Sequence, residues 1–206
     1  MEHKGKVPYF AINMKTLLQL LQDFDGTKAT CVDDLTDNFK EIAERVLFGG
    51  HFEINDKTEI FPTDIEFYYF NENADSIKEL NDSRMYHKGP EEEVPYFPIM
   101  SFYPHKSGVD LTFENEEKKF RASFLIRAYT YKYYNPDVED SSEKPTHLWE
   151  DMFGYHSICG KGITIKWIDA PDYAIAEMGN GTRINLNTDV DKKIVKDNKP
   201  WRFYKK

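Results

Sequence analysis

The stretch DIEFYYF, residues Asp64 to Phe70, decides how this chain is read. Seven residues this rich in aromatic and β-branched side chains predict a strand. Strand side chains alternate, so Ile65, Phe67 and Tyr69 point to one face and Glu66, Tyr68 and Phe70 to the other. The first set is a core face. The second places a carboxylate among aromatic rings. On a solvated face Glu66 is ordinary. On a covered face desolvation raises its pKa and suits it to acid/base work.

Working outward, residues 12–24 (INMKTLLQLLQDF) carry Met14, Leu17, Leu18, Leu21 and Phe24 at helical spacing, with DGT as a stop. A second helix is expected over 35–48, with Phe39, Ile42, Ala43, Val46 and Leu47 as its apolar stripe and Gly49-Gly50 ending it. Beyond it the pattern changes to strands, expected at 51–60, 64–70, 99–104, 109–114, 120–131, 162–168, 173–178 and 182–187. ENEEKK at 114–119 reads as a hairpin turn, 135–145 as a solvated loop, and THLWEDMFG as a short helix with Thr146 as its cap. The expected fold class is α+β: N-terminal helices on a curved, mostly antiparallel sheet or open barrel with a protruding β-hairpin. The 206 residues suit one domain.

The composition is 40% hydrophobic and 15% aromatic, which excludes a disordered chain. No apolar run approaches the roughly 20 residues of a membrane span. MEHKGKVPYF lacks the apolar centre of a signal peptide. Cys31 and Cys159 are far apart with no CxxC spacing, so reduced thiols in a cytoplasmic protein are expected. The net charge of −9 argues against a protein that coats nucleic acid nonspecifically. The tail from Asp191 to Lys206 is nevertheless basic, and the acid gathers at 91–93 and 137–143.

Several chemistries are excluded by motif. Neither HxH nor HExxH occurs, so no metal is expected at His87 or His105. GxSxG, GxGxxG and P-loop patterns are also absent. What remains is a set of carboxylates, arginine and aromatics on adjacent strands: Glu66, Tyr68, Asp110 and, inside SFLIRAY, Arg127. Such a set can serve a base-binding pocket, where rings stack and a carboxylate activates water. It can equally be a core ion pair between Glu66 and Arg127 with no catalytic role.

The order of these pieces resembles the methylpurine-DNA glycosylase family, whose members flip a damaged base and hydrolyse its N-glycosidic bond. DIEFY, MYHKG, IMSFYPHKSGVDLTF, FLIRAY, TRINLN and KPWRFYKK follow one another as the family's motifs do, over residues 39–204, with LIRA and PWRFY the most specific. The resemblance implies that residues 31–206 form a domain of that family's fold, with 1–30 as an N-terminal extension. It implies Glu66 as general base and Arg127 as the group that keeps Glu66 ionised and orients it. Tyr68 and His87 would contact the flipped base, with Met100, Asp110 and Ile184 lining its pocket and Tyr103 wedged into the duplex. Lys88, Lys106 and Arg202 would touch phosphates. The partner would be double-stranded DNA holding a modified base, bound by a monomer without metal or cofactor and without lyase activity. The chain departs from the family at Asp64-Ile65, where Glu-Thr is the pattern, at GPEEEVPYF after the histidine, and at Asp110, where asparagine is the pattern. Two other classes fit the residues: a non-catalytic binding module on this scaffold, and a small-molecule hydrolase or isomerase using Glu66 and Asp110 together.

Overall fold

The computed structural model describes residues 15–73, 76–82, 85, 94–133, 139–154, 162–170, 173–174, 176–184, 188–190, 193–195 and 198–206. Their order is α1 (Leu17–Asp23), α2 (Val32–Phe48), β1 (Gly50–Ile54), β2 (Thr58–Asn71), β3 (Ser101–His105), β4 (Gly108–Thr112), β5 (Phe120–Tyr133), β6 (Glu139–Ser142), α3 (His147–Trp149), β7 (Ile165–Asp169), β8 (Met178–Gly181), β9 (Thr188–Val190), β10 (Lys193–Val195) and β11 (Arg202–Lys205). The fold is α+β, a few helices with a strongly curled antiparallel sheet that forms a half-barrel. Nine strands join in the order β3-β4-β5-β2-β1-β7, with β6 on β5, and β11 pairing both β2 and β8. β9 and β10 make a separate hairpin. The curl brings strands together that the ladder keeps apart: Phe52 of β1 and Phe102 of β3 meet edge to face at 5.2 Å.

β2 is the spine. It pairs with β5 along its whole length, with β1 through Thr58, Glu59 and Ile60, and with β11 through Asp64, Ile65 and Glu66. The change of partner from β1 to β11 falls at Pro62–Asp64, where the β5 register also shifts. Proline has no N–H to give a ladder, so it sits where one neighbour leaves and the next begins.

The concave face packs against the helices. Phe39 of α2 stacks on Phe67 at 4.4 Å and meets Trp201 edge-on at 5.3 Å. Phe24, after α1, contacts Phe39, Phe113 and Phe120. Thr16 caps α1 in a capping box with Gln19, its hydroxyl accepting from the Gln19 amide at 3.2 Å. Among the described residues no helix is long and apolar enough to cross a membrane.

Several expectations change in the structure. The segment expected as one strand over 51–60 is a hairpin that turns at Asn55–Lys57, and the expected break at 61–63 lies inside β2. Asn55 and Asp56 take the left-handed backbone (φ 52° and 56°), which Asn and Asp tolerate. α2 begins three residues earlier than expected. The loop at 135–145 includes β6, and Thr146 makes no side-chain cap to α3. Residues 173–174 and 176–177 are irregular rather than strand, as are 182–184. Leu18, expected in the α1 stripe, is 44% exposed, and Leu20 is buried instead.

Because Phe67 meets Phe39, Phe113, Phe124 and Phe203, Phe67→Ala is expected to lower unfolding free energy by about 3–5 kcal/mol. Leu18→Ala should stay within about 0.5 kcal/mol. Urea denaturation measures both, and equal losses would contradict this packing.

Candidate functional site

The two faces of β2 separate as the alternation requires. Ile65, Phe67 and Tyr69 are fully buried in the core under the helices. Glu66 and Tyr68 occupy the other face, and it is covered rather than solvated: Glu66 is 0% exposed, and Tyr68 packs with Met85, Leu125 and Phe70 in a second apolar cluster. Register aligns one row of that face across five strands: Tyr103 of β3, Asp110 of β4, Leu125 of β5, Glu66 of β2 and Arg202 of β11.

Three donors from three parts of the chain hold the Glu66 carboxylate. The Ile184 amide donates to Oε1 at 2.6 Å. The Tyr68 hydroxyl donates to Oε2 at 3.2 Å, and the Arg127 guanidinium to the same oxygen at 3.4 Å. Burial pushes the Glu66 carboxyl above its ordinary value, while the Ile184 amide, Arg127 and Arg183 pull the other way. Burial, with Glu66 and Asp110 nearby, raises the Tyr68 phenol well above its own. Tyr68 is therefore a neutral donor and Glu66 a proton acceptor stronger than an exposed carboxylate.

Arg183 fixes the segment that carries the Ile184 amide. It donates to the Phe67 carbonyl at 2.9 Å, pairs with buried Asp82 and lies over the Tyr68 ring at 4.7 Å. Arg183 and Asp82 are not among the residues the sequence singles out. Their separation of 101 residues leaves no local signal, and only the placement of Arg183 beside Ile184 hinted at a role. Arg202, expected at phosphates, is instead held by Asp64, with Nη2 to Oδ2 at 2.6 Å and Nε to Oδ1 at 3.0 Å.

Asp110 is 2% exposed and spoken for on both oxygens: Ser123 donates to Oδ2 at 3.0 Å and His105 Nε2 lies 3.0 Å from Oδ1. The Ser107 amide donates to His105 Nδ1 at 3.3 Å, leaving Nε2 to donate to Asp110. Tyr103, expected as a wedge, packs between the His105 ring at 5.9 Å and Phe97 at 5.5 Å. Lys106 is exposed in the two-residue turn of the β3–β4 hairpin.

Met100 corrects an expectation. It lies on the helix side of the sheet, opposite Glu66, because Phe102 and Leu111 pair on the core face and Met100 shares their parity. There it takes a left-handed backbone (φ 64°) and lines a cavity of about 420 Å³ with Phe52, Phe102, Ile165 and Trp167. Substrate contact at Glu66 is not open to it. His87 and Lys88 lie outside the described residues.

Among the described residues one group has metal-ligand spacing, His51, Glu53 and Glu59, with ligand atoms within 4.8 Å of one another. Lys166 Nζ already sits 2.7 Å from Glu53, and His51 3.8 Å from Glu59. A second ionic group ties down residues 94–97: Arg121 bonds the Val94 carbonyl at 2.8 Å, Glu72 at 2.5 Å and Glu114 at 3.2 Å, and Glu114 accepts from the Phe97 amide at 2.9 Å. Glu114 Oε1 has no hydrogen-bond partner.

No family model, curated protein or solved structure matches the chain.

Burial pushes Glu114 up to about 7. A carboxyl raised above its unfolded value binds a proton more tightly when folded, so this contribution to stability is lost as pH rises through about 7 and regained below it. The urea midpoint is expected to fall from about pH 6 to about pH 8, and Glu114→Gln to flatten that slope. An unchanged slope in the variant would contradict the assignment.

Proposed function

We propose that the chain hydrolyses an N-glycosidic bond to a modified base, as a monofunctional glycosylase of the kind the methylpurine-DNA glycosylase resemblance implies. The observation that supports this most is the convergence of the Tyr68 hydroxyl, the Arg127 guanidinium and the Ile184 amide on one buried carboxylate, Glu66. These are the positions whose motifs carry the resemblance, and they lie 61 and 118 residues from Glu66 for Arg127 and Ile184.

In this reading Glu66 is the general base. It takes a proton from a water as the water oxygen bonds to C1′, and the C1′–N bond electrons leave with the base. Arg127 orients the carboxylate and favours its ionised form. The Ile184 amide fixes one oxygen and leaves the other toward Tyr68. The Tyr68 ring, braced from behind by Arg183, supplies an aromatic surface to the base.

The test is release of free base, followed by chromatography, from a panel that holds the same modified bases both in duplex oligonucleotides and as nucleosides. Wild type is expected to release base from at least one substrate, and Glu66→Gln to lower that rate by about 10²–10⁴-fold with its thermal transition retained. Release unaffected in Glu66→Gln, or none from any substrate, would contradict the reading. Arg127→Met is expected to shift the pH–rate profile to higher pH, since removing the opposite charge raises the Glu66 pKa further.

A further inference from the structure

The curl of the sheet leaves a cavity between its two ends. β3 and β7 stand at opposite ends of the strand order, and among the described residues each pairs on one side only, β3 with β4 and β7 with β1. In a closed barrel two such strands would pair with each other. Here the gap holds the cavity of about 420 Å³, within the roughly 300–1,000 Å³ of small-molecule sites. It lies on the helix side of the sheet, apart from the Glu66 face.

Its walls are aromatic. Phe52 stands edge to face with both Phe102 and Trp167, at 5.2 and 4.9 Å, and Met100 and Ile165 continue the apolar lining. Phe52 is fully buried, whereas Met100, Phe102, Ile165 and Trp167 keep part of their surface open and Leu18 on the rim is 44% exposed. Open apolar surface gathered around one cavity is what a ligand covers. Met100 sits there in a left-handed backbone, a conformation that is strained for non-glycine residues and gathers at ligand sites.

Asp169 supplies a polar handle. The Leu17 amide, Arg45 Nε, Arg45 Nη2 and Trp167 Nε1 all meet its Oδ1, at 3.2, 3.0, 2.9 and 2.9 Å. Among the described residues no donor reaches Oδ2. The carboxylate is therefore fixed through one oxygen, and the other is left to accept from a ligand. Charge at the cavity is already balanced: Arg45 answers Asp169, and Lys166 lies 2.7 Å from Glu53 and 2.7 Å from Asp56. A charged ligand would be covered without a counter-ion.

We infer that this cavity binds a neutral, planar aromatic molecule that donates a hydrogen bond to Asp169 Oδ2, with its rings among Phe52, Phe102 and Trp167. Aromatic walls favour a flat ring that meets them edge to face or offset. The site is separate from Glu66 and stands whether or not the hydrolysis reading holds.

The probe is 2-phenylindole, and 1-methyl-2-phenylindole is the same ring system without the N–H donor. Isothermal titration calorimetry on the full chain is expected to give a Kd of about 10 μM or tighter for the first and binding about 10-fold or more weaker for the second. Ile165→Trp, which fills the cavity, is expected to abolish binding with its thermal transition retained. In the wild-type protein the Met100 and Ile165 methyl NMR signals should shift on saturation, while that of Met85 beside Tyr68 stays in place. Binding without methyl shifts at Met100 and Ile165, or no binding of 2-phenylindole at all, would overturn the site. Tighter binding of decanoate than of 2-phenylindole would overturn the ligand class in favour of a fatty acid. Equal affinity for the two indoles would overturn the role of Asp169.

Discussion

The Glu66 carboxylate is fully buried, and the surrounding structure is arranged so that this is tolerable. An ionised carboxyl taken out of water without partners is too costly for a domain of this size to hold. Its donors come from the same strand, from the neighbouring β5 and from the irregular segment after β8. The third donor depends on β11 lying against both β2 and β8, which brings residues 182–184 to the carboxylate. Pro62 makes that possible by ending the β1 pairing where β11 takes over. One buried charge thus links the register of four strands.

The same economy of charge extends outward. Each arginine near the site answers a specific acid: Arg183 to Asp82, Arg202 to Asp64, Arg121 to Glu72 and Glu114. These pairs hold the coverings and edges around the carboxylate in place.

Much of this was legible in the sequence. The alternation of DIEFYYF separated the core face from the Glu66 face, and an arginine inside SFLIRAY demanded an acidic partner. The hairpin turn before Phe120 was also readable from turn chemistry. What escaped depended on long-range register. Met100 was expected in the pocket through the resemblance alone, which carries no strand register; its packing with Phe102 puts it on the core side. Asp82 and Arg183 carry no local pattern, and β2 was split at Pro62 because a proline in an aromatic run reads as a break when its neighbours are unknown.

Proton transfer by Glu66, as proposed, requires a buried carboxyl whose pKa is raised. Carbon-detected NMR titration of its side-chain carboxyl, assigned by comparison with Glu66→Gln, tests this directly. The expected midpoint lies above the ordinary glutamate range, because burial outweighs the Ile184 amide, Arg127 and Arg183. A midpoint at or below the ordinary value would mean a solvated or fully charge-compensated ion pair, and the site would then be structural.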